Sequence, residues 1–217
     1  HDGHGALVRR CVAQNDVTVV SLFVNPTQFN NPDALLHYPR TPEEDNRLLE
    51  AMNVDIVFAP TVDEMYPEPD KRVFEFGVLS EVMEGAFRPG HFNGVAQVVS
   101  KLFQFVRPNV AYFGEKDFQQ LAIVKEMVKQ LQLPLEVIGV ATVREPNGLA
   151  MSSRNQRLSA EEKEHAASIY RVLKESASFA DSRQPSQLSS WVTENINNVP
   201  GLRVESFMIV DANSLQP

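Results

Sequence analysis

Residues 109–143 read NVAYFGEKDFQQLAIVKEMVKQLQLPLEVIGVATV, and this stretch decides the fold. Asn109 to Gly114 is a short β-branched and aromatic run that ends on a glycine, the pattern of a strand running into a turn. From 118 to 131 the apolar residues Leu121, Val124, Val128 and Leu131 recur at helical spacing. A second apolar, β-branched run covers 135–143. Strand, helix and strand in that order form a βαβ unit, which implies parallel pairing.

Working outward, the same alternation recurs. Residues 4–14 put Leu7, Val8, Cys11 and Val12 on one helical face. The run 17–24 is apolar and β-branched, stops at Asn25-Pro26, and predicts a buried strand covered on both faces. Thr41 is the expected N-cap of a helix opening at Pro42, with Glu43, Glu44 and Asp45 in its first turn. Residues 55–60 predict a short strand, 66–90 a loop-rich stretch, and 95–106 a helix with Val98, Leu102 and Phe105 inward. After Arg144 the character changes. Pro146-Asn147-Gly148 signals a turn, 160–179 and 187–196 predict helices, and 202–210 alternates as a strand. The expectation is an α/β protein with a Rossmann-like open parallel sheet and helices on both faces, spanning 1–143. A smaller, incomplete α+β domain follows over 144–217.

Composition sets the bounds. The 217 residues are 43% hydrophobic and 22% charged, and at about 100–200 residues per domain they allow one or two domains. Lys and Arg total 20 against 28 Asp and Glu, a net charge of −8, which makes the chain a poor general binder of nucleic acid or anionic membrane but allows a local basic pocket for a phosphate. The single cysteine, Cys11, excludes an internal disulfide and a cysteine metal cluster and fits a reducing compartment. No run approaches the roughly 18 apolar residues of a membrane span.

Four segments carry chemistry. His1-Asp2-Gly3-His4 stands at a helix start, with two imidazoles expected on one face, a glycine that allows close approach to the backbone, and helix N–H groups open to phosphate. Met151-Ser152-Ser153-Arg154-Asn155 offers hydroxyls and a guanidinium to phosphate oxygens. Gly114-Glu115-Lys116-Asp117 lies where a strand gives way to a helix, the place where open α/β sheets bind ligands, and Gln120 follows Lys116 by about one turn. Asn25 and Gln28 supply amides among apolar neighbours just past another strand, as suits a small hydroxylated acid.

The first two segments resemble the HxGH and KMSKS-type signatures of the nucleotidyltransferase superfamily. The ordered set HDGH, FVNPTQF, YPRTPEED, EGAFRPGHFNGV, FGEKDFQQL and GLAMSSRN resembles the pantoate–β-alanine ligase family over residues 1–155. The resemblance implies ATP-dependent condensation of pantoate with β-alanine through a pantoyl adenylate, releasing pyrophosphate and AMP. It places His1, Asp2, Gly3 and His4 at ATP, with His4 as proton donor. It adds Gly114, Glu115, Lys116, Asp117, Val143, Met151, Ser152, Ser153 and Arg154 to the ATP site, Lys116 and Arg154 being its catalytic cations. It gives Gln28 and Gln120 to pantoate, Gln28 also to β-alanine, and Asn25 to the neighbourhood of the phosphates. Glu44, Asp45, Arg88 and His91 match a polar region beside the pantoate pocket. The resemblance further implies Mg²⁺ bridging the phosphates, a homodimer, and a cytoplasmic enzyme of the coenzyme A pathway. The family pattern has a strand and a Pro-Thr-Met-Gly-x-Leu segment before HxGH and further strands after Asp211. The expectation is therefore a polypeptide truncated at both ends and catalytically weak or dead on its own, although its parent would be active. The competing readings are another HxGH nucleotidyltransferase and a nucleotide-binding fragment without turnover.

Overall fold

The computed structural model describes residues 1–26, 41–212 and 214–216. Two compact units emerge, one formed by His4–Ala141 and the other by His1–Gly3 with Thr142–Pro217. Gln28 and the other motif residues between 27 and 40 lie outside the described residues.

The His4–Ala141 unit is α/β with parallel pairing. Helix α1 (Asp2–Gln14) leads to β1 (Val19–Ser21), α2 (Pro42–Ala51) and β2 (Ile56–Phe58). Strands β1 and β2 pair in parallel, Val19 opposite Ile56. Single-turn helices follow at α3 (Val62–Met65), α4 (Val78–Glu81) and α5 (Glu84–Phe87), then the long α6 (His91–Val106). The βαβ unit consists of β3 (Val110–Gly114), a 3₁₀ turn at Glu115–Asp117, α7 (Phe118–Gln130) and β4 (Glu136–Val140). Strands β3 and β4 pair in parallel, Val110 opposite Glu136. Among the described residues the strands form two parallel two-stranded pairs, the α/β arrangement that the sequence predicts.

Several boundaries differ from the periodicity. Strand β1 is three residues long, and Val17 is 59% exposed. Val19 and Val20 are only half-buried and Ser21 is exposed, so the 17–24 run is not the strand buried on both faces that its composition predicts. Helix α6 starts four residues early, at His91, and buries Phe92, Val95, Ala96, Val99 and Phe103 as its inner stripe. Phe105 lies two residues past Phe103, about 200° around the helix. It is therefore 55% exposed and rests against the Phe58 ring at 5.9 Å between centroids. On α7, Leu121 and Val124 are buried as expected, Val124 fully enclosed together with Ile123 and Met127, and Leu131 has left the helix at its C-cap. Thr41 occupies the N-cap of α2 without a side-chain capping bond. The core joins α6 and α7 to Met65 and Phe76. Each such side chain contributes roughly 1.5–3 kcal/mol by leaving water.

The 66–90 stretch is more ordered than its composition suggests. Asn93 and Gln97 on α6 act as fasteners: Asn93 Oδ1 accepts from Phe74 N (2.8 Å), and Gln97 Nε2 donates to the Asp70 and Arg72 carbonyls (3.0 and 2.8 Å). Arg72 forks onto the enclosed Asp70 carboxylate, holding its pKa below the ordinary value mainly through this hydrogen bond.

In the other unit, a tight turn over 143–151 precedes a 3₁₀ turn (Ser153–Arg157), α8 (Ala160–Ala177), a further 3₁₀ turn (Ala180–Ser182) and α9 (Pro185–Asn197). Helix α8 opens with a reciprocal capping box between Ser159 and Glu162. Val172, Val192 and Ile196 form its core, and Phe179 meets Trp191 edge to face at 4.9 Å. The strand expected over 202–210 does not form. Its side chains alternate in exposure from 202 to 205, but a strand needs a hydrogen-bonded neighbour. Val204 N instead donates to Asn197 Oδ1 at 2.7 Å.

Candidate active site

His1 precedes α1, so the two imidazoles do not share a helical face as the spacing predicted. The His1 ring lies over Gly3 instead. A Cβ on Gly3 would come 2.8 Å from both His1 Nδ1 and His1 Cε1, and 3.4 Å from Met151 Cβ. The space that Gly3 leaves open is thus taken by the protein's own groups. At Gly3 the first three residues of the HxGH segment meet the MSSRN loop inside one compact unit.

That loop is held from below. Met151 N donates to Val143 O at 2.9 Å, and Arg144 and Ala150 form an antiparallel bridge. Arg144 also donates to Gly148 O (3.2 Å), and its guanidinium lies 3.7 Å from the centre of the Tyr170 ring on α8. Past this turn, Ser152 Oγ accepts from Arg154 N at 3.2 Å, and Asn155 Nδ2 donates to Ala150 O at 3.0 Å. The Arg154 side chain is exposed and makes no hydrogen bond or ion pair among the described residues.

In the His4–Ala141 unit, His4 has its imidazole pKa lowered, first by burial and then by positive charge that includes Lys116, while Asp45 and Asp117 oppose the shift. His4 keeps a solvent-facing edge, so the surrounding protein crowds the ring without enclosing it. A lowered pKa leaves the ring neutral at neutral pH, able to donate from one nitrogen and accept at the other. Lys116 and Asp117 lie on the 3₁₀ turn directly after β3, where the backbone leaves the sheet at Gly114. Lys116 is exposed and makes no hydrogen bond among the described residues. Asp45 is half-buried on α2, and its neighbour Glu44 faces solvent.

Asn25 is 2% exposed; its amide donates to Gly94 O (3.3 Å), and its Oδ1 accepts from the Tyr66 hydroxyl (2.9 Å). These bonds fasten the segment after β1 to α6. Two adjacent amides open α7. Gln119 is buried and bonded to the 79–84 turn, whereas Gln120 is half-buried and its side chain makes no hydrogen bond among the described residues. Arg88 pairs with Glu84, and His91 is buried against the Phe92 ring at the start of α6. The sequence gives little sign of the structural roles of Tyr66, Asn93, Gln97 and Gln119. Only the Gln119-Gln120 doublet carried a signal, since consecutive helical residues point about 100° apart and cannot serve one ligand equally.

Among the described residues, no three His, Cys, Asp or Glu side chains cluster to hold a metal ion, and no helix is long and apolar enough to cross a membrane. The family model for pantoate-beta-alanine ligase matches residues 1–217. Pantothenate synthetase of Bacteroides fragilis (strain YCH46) is 59% identical over 216 residues, covering 100% of this chain and 77% of that protein. The crystal structure of pantothenate synthetase from Thermus thermophilus superposes with a TM-score of 0.95 at 46% identity, covering 100% of this chain and 79% of that one. The pantoate-beta-alanine ligase from Francisella tularensis, complexed with beta-gamma ATP and beta-alanine, matches with a TM-score of 0.78 at 36% identity over 90% of this chain and 74% of its own. With the family pattern running from the first residue to the last, this chain belongs to the pantoate–β-alanine ligase family.

Proposed function

We propose that this chain joins pantoate to β-alanine at the expense of ATP. A free carboxylate is a poor electrophile, so the reaction runs in two steps. A pantoate carboxylate oxygen attacks the α-phosphorus of ATP, and the bond to pyrophosphate breaks. The β-alanine amine then attacks the carbonyl carbon of the pantoyl adenylate. The acyl C–O bond breaks, AMP departs and the nitrogen loses a proton. The observation that carries this reading is the approach of Gly3 of the HxGH segment to Met151 of the MSSRN loop.

The residue roles follow the chemistry of each group. His1 and His4 contact the ATP phosphates. A neutral His4 donates a hydrogen bond to the transferring phosphoryl group and its leaving pyrophosphate, where charge builds up. Lys116 and Arg154, each without a protein acceptor among the described residues, supply positive charge to the triphosphate. Asp2, Gly3, Gly114, Glu115, Asp117, Met151, Ser152 and Ser153 complete the phosphate surroundings, and Val143 contacts adenine. Gln28 and Gln120 bind pantoate, Gln28 also serves β-alanine, and Asn25 stands near the phosphates. Mg²⁺ arrives on the nucleotide and neutralises phosphate charge when bound. The residues up to 143 form the ATP- and pantoate-binding domain, and those from 144 form the domain that brings the phosphate loop. The enzyme acts in the cytoplasm as a homodimer, which sedimentation at micromolar concentration would check.

The deciding experiment is pantoate-dependent exchange of pyrophosphate into ATP, with Mg²⁺ and without β-alanine. Exchange that requires pantoate and is lost in His4→Ala is the expected result. Exchange that ignores pantoate would overturn the ligase reading in favour of another nucleotidyl transfer. ATP binding without any exchange would overturn it in favour of a nucleotide-binding fragment.

A further inference from the structure

Residues 77–88 have little of their own to hold them. They form two single turns, α4 and α5, joined at Met83, whose φ of +50° is an uncommon conformation for a residue with a side chain. A single helical turn is not stable by itself. Gln119, 4% exposed on the first turn of α7, makes up the deficit. Its Nε2 donates to Leu79 O at 2.9 Å and to Val82 O at 2.7 Å, and its Oε1 accepts from Glu84 N at 3.0 Å. Both amide protons are thereby committed to the protein. Glu84 in turn pairs with Arg88, so the chain of bonds runs from α7 through the turn to the segment that enters α6. The side chain of Gln120, next in sequence and rotated about 100° from it, makes no hydrogen bond among the described residues.

We propose that Gln119 is a positioning residue for the carboxylic-acid substrate: by clamping the 79–84 turn onto the start of α7, it fixes where Gln120 presents its amide. The proposal rests on the ligase reading for the identity of that substrate. It divides the doublet into one amide that builds the pocket wall and one that reads the ligand. A helix start left unclamped is free to shift, and misplacement by about 1 Å costs on the order of 10²-fold in a well-oriented reaction.

The test uses Gln119→Met, which keeps size and removes every hydrogen bond, and Gln119→Glu, whose carboxyl can donate only while protonated. In Gln119→Met the KM for pantoate should rise roughly tenfold or more while the KM for ATP stays within about twofold. Backbone amide exchange over 79–85 should accelerate. In Gln119→Glu both defects should appear at high pH and recede as the pH falls and the acid regains its proton, a recovery absent from Gln119→Met. Equal changes in both KM values, unchanged amide exchange, or identical pH profiles for the two variants would each overturn the clamp. If the unsubstituted chain shows no pantoate-dependent exchange, the ligase reading fails, and amide exchange in the two variants still decides whether the clamp exists.

Discussion

Replacing Gly85 with alanine tests how tightly the 77–88 segment folds back on itself. Gly85 is buried, and a Cβ built on it would fall 2.1 Å from Ser80 O and 2.6 Å from Ser80 C. Ordinary contacts to carbon are about 3.5–4.0 Å, so roughly 1 Å or more of movement is required. The obstacle is backbone, and no rotamer change relieves it. The Gln119 amide, 3.5 Å from the same position, bounds the space on the other side. Overpacking of this kind costs about 1–3 kcal/mol, and a backbone collision belongs at the upper end. For a chain of this length that corresponds to a melting temperature lower by about 4–12 °C. Gly3→Ala is the internal control. Its new Cβ meets the far end of the His1 ring at 2.8 Å, and that side chain can swing away. Gly3→Ala should therefore melt within about 2 °C of the parent and lose exchange activity instead. Thermal unfolding followed by circular dichroism, with amide exchange to localise the loss to 77–88, decides the matter. A Gly85→Ala variant with unchanged melting and unchanged exchange would refute the close approach from which the magnitude was worked.

Three further outcomes are expected. Removing the Lys116 charge with Lys116→Met should raise the His4 pKa, read from its imidazole proton shifts by NMR; a fall or no change would place Lys116 away from the ring. Because Asp70 titrates below its ordinary value when folded, its pairing with Arg72 stabilises the protein above the ordinary carboxylate range, and that contribution disappears as the pH falls through the lowered pKa. Urea midpoints of the parent and Asp70→Asn should then differ at neutral pH and converge in acid, and a constant gap would show that the pairing does not govern it. Met127→Ala, at a fully enclosed position between α6 and α7, should cost about 2–5 kcal/mol in urea unfolding, and a loss under about 1 kcal/mol would mean that the core there is loose.

Amino-acid order alone determined the βαβ unit, the parallel pairing it implies, the helices on either side, and the motif set that marks the family. These are local properties: side-chain period, β-branching and glycine placement bias each segment before it meets another. The HxGH, GEKD and MSSRN segments were legible for the same reason, since their residue types sit close together in the chain. What escaped depended on partners far away in sequence. The run at 202–210 has the period of a strand, yet Val204 N finds Asn197 instead of a neighbouring strand. Phe105 is apolar and helical, but only the docking of α6 through Val95, Val99 and Phe103 decides which side faces out. Gln119 and Gln120 are the same residue type, one position apart. Only tertiary structure distinguishes them, because burial forces the first to satisfy its amide within the protein and leaves the second without a protein partner among the described residues.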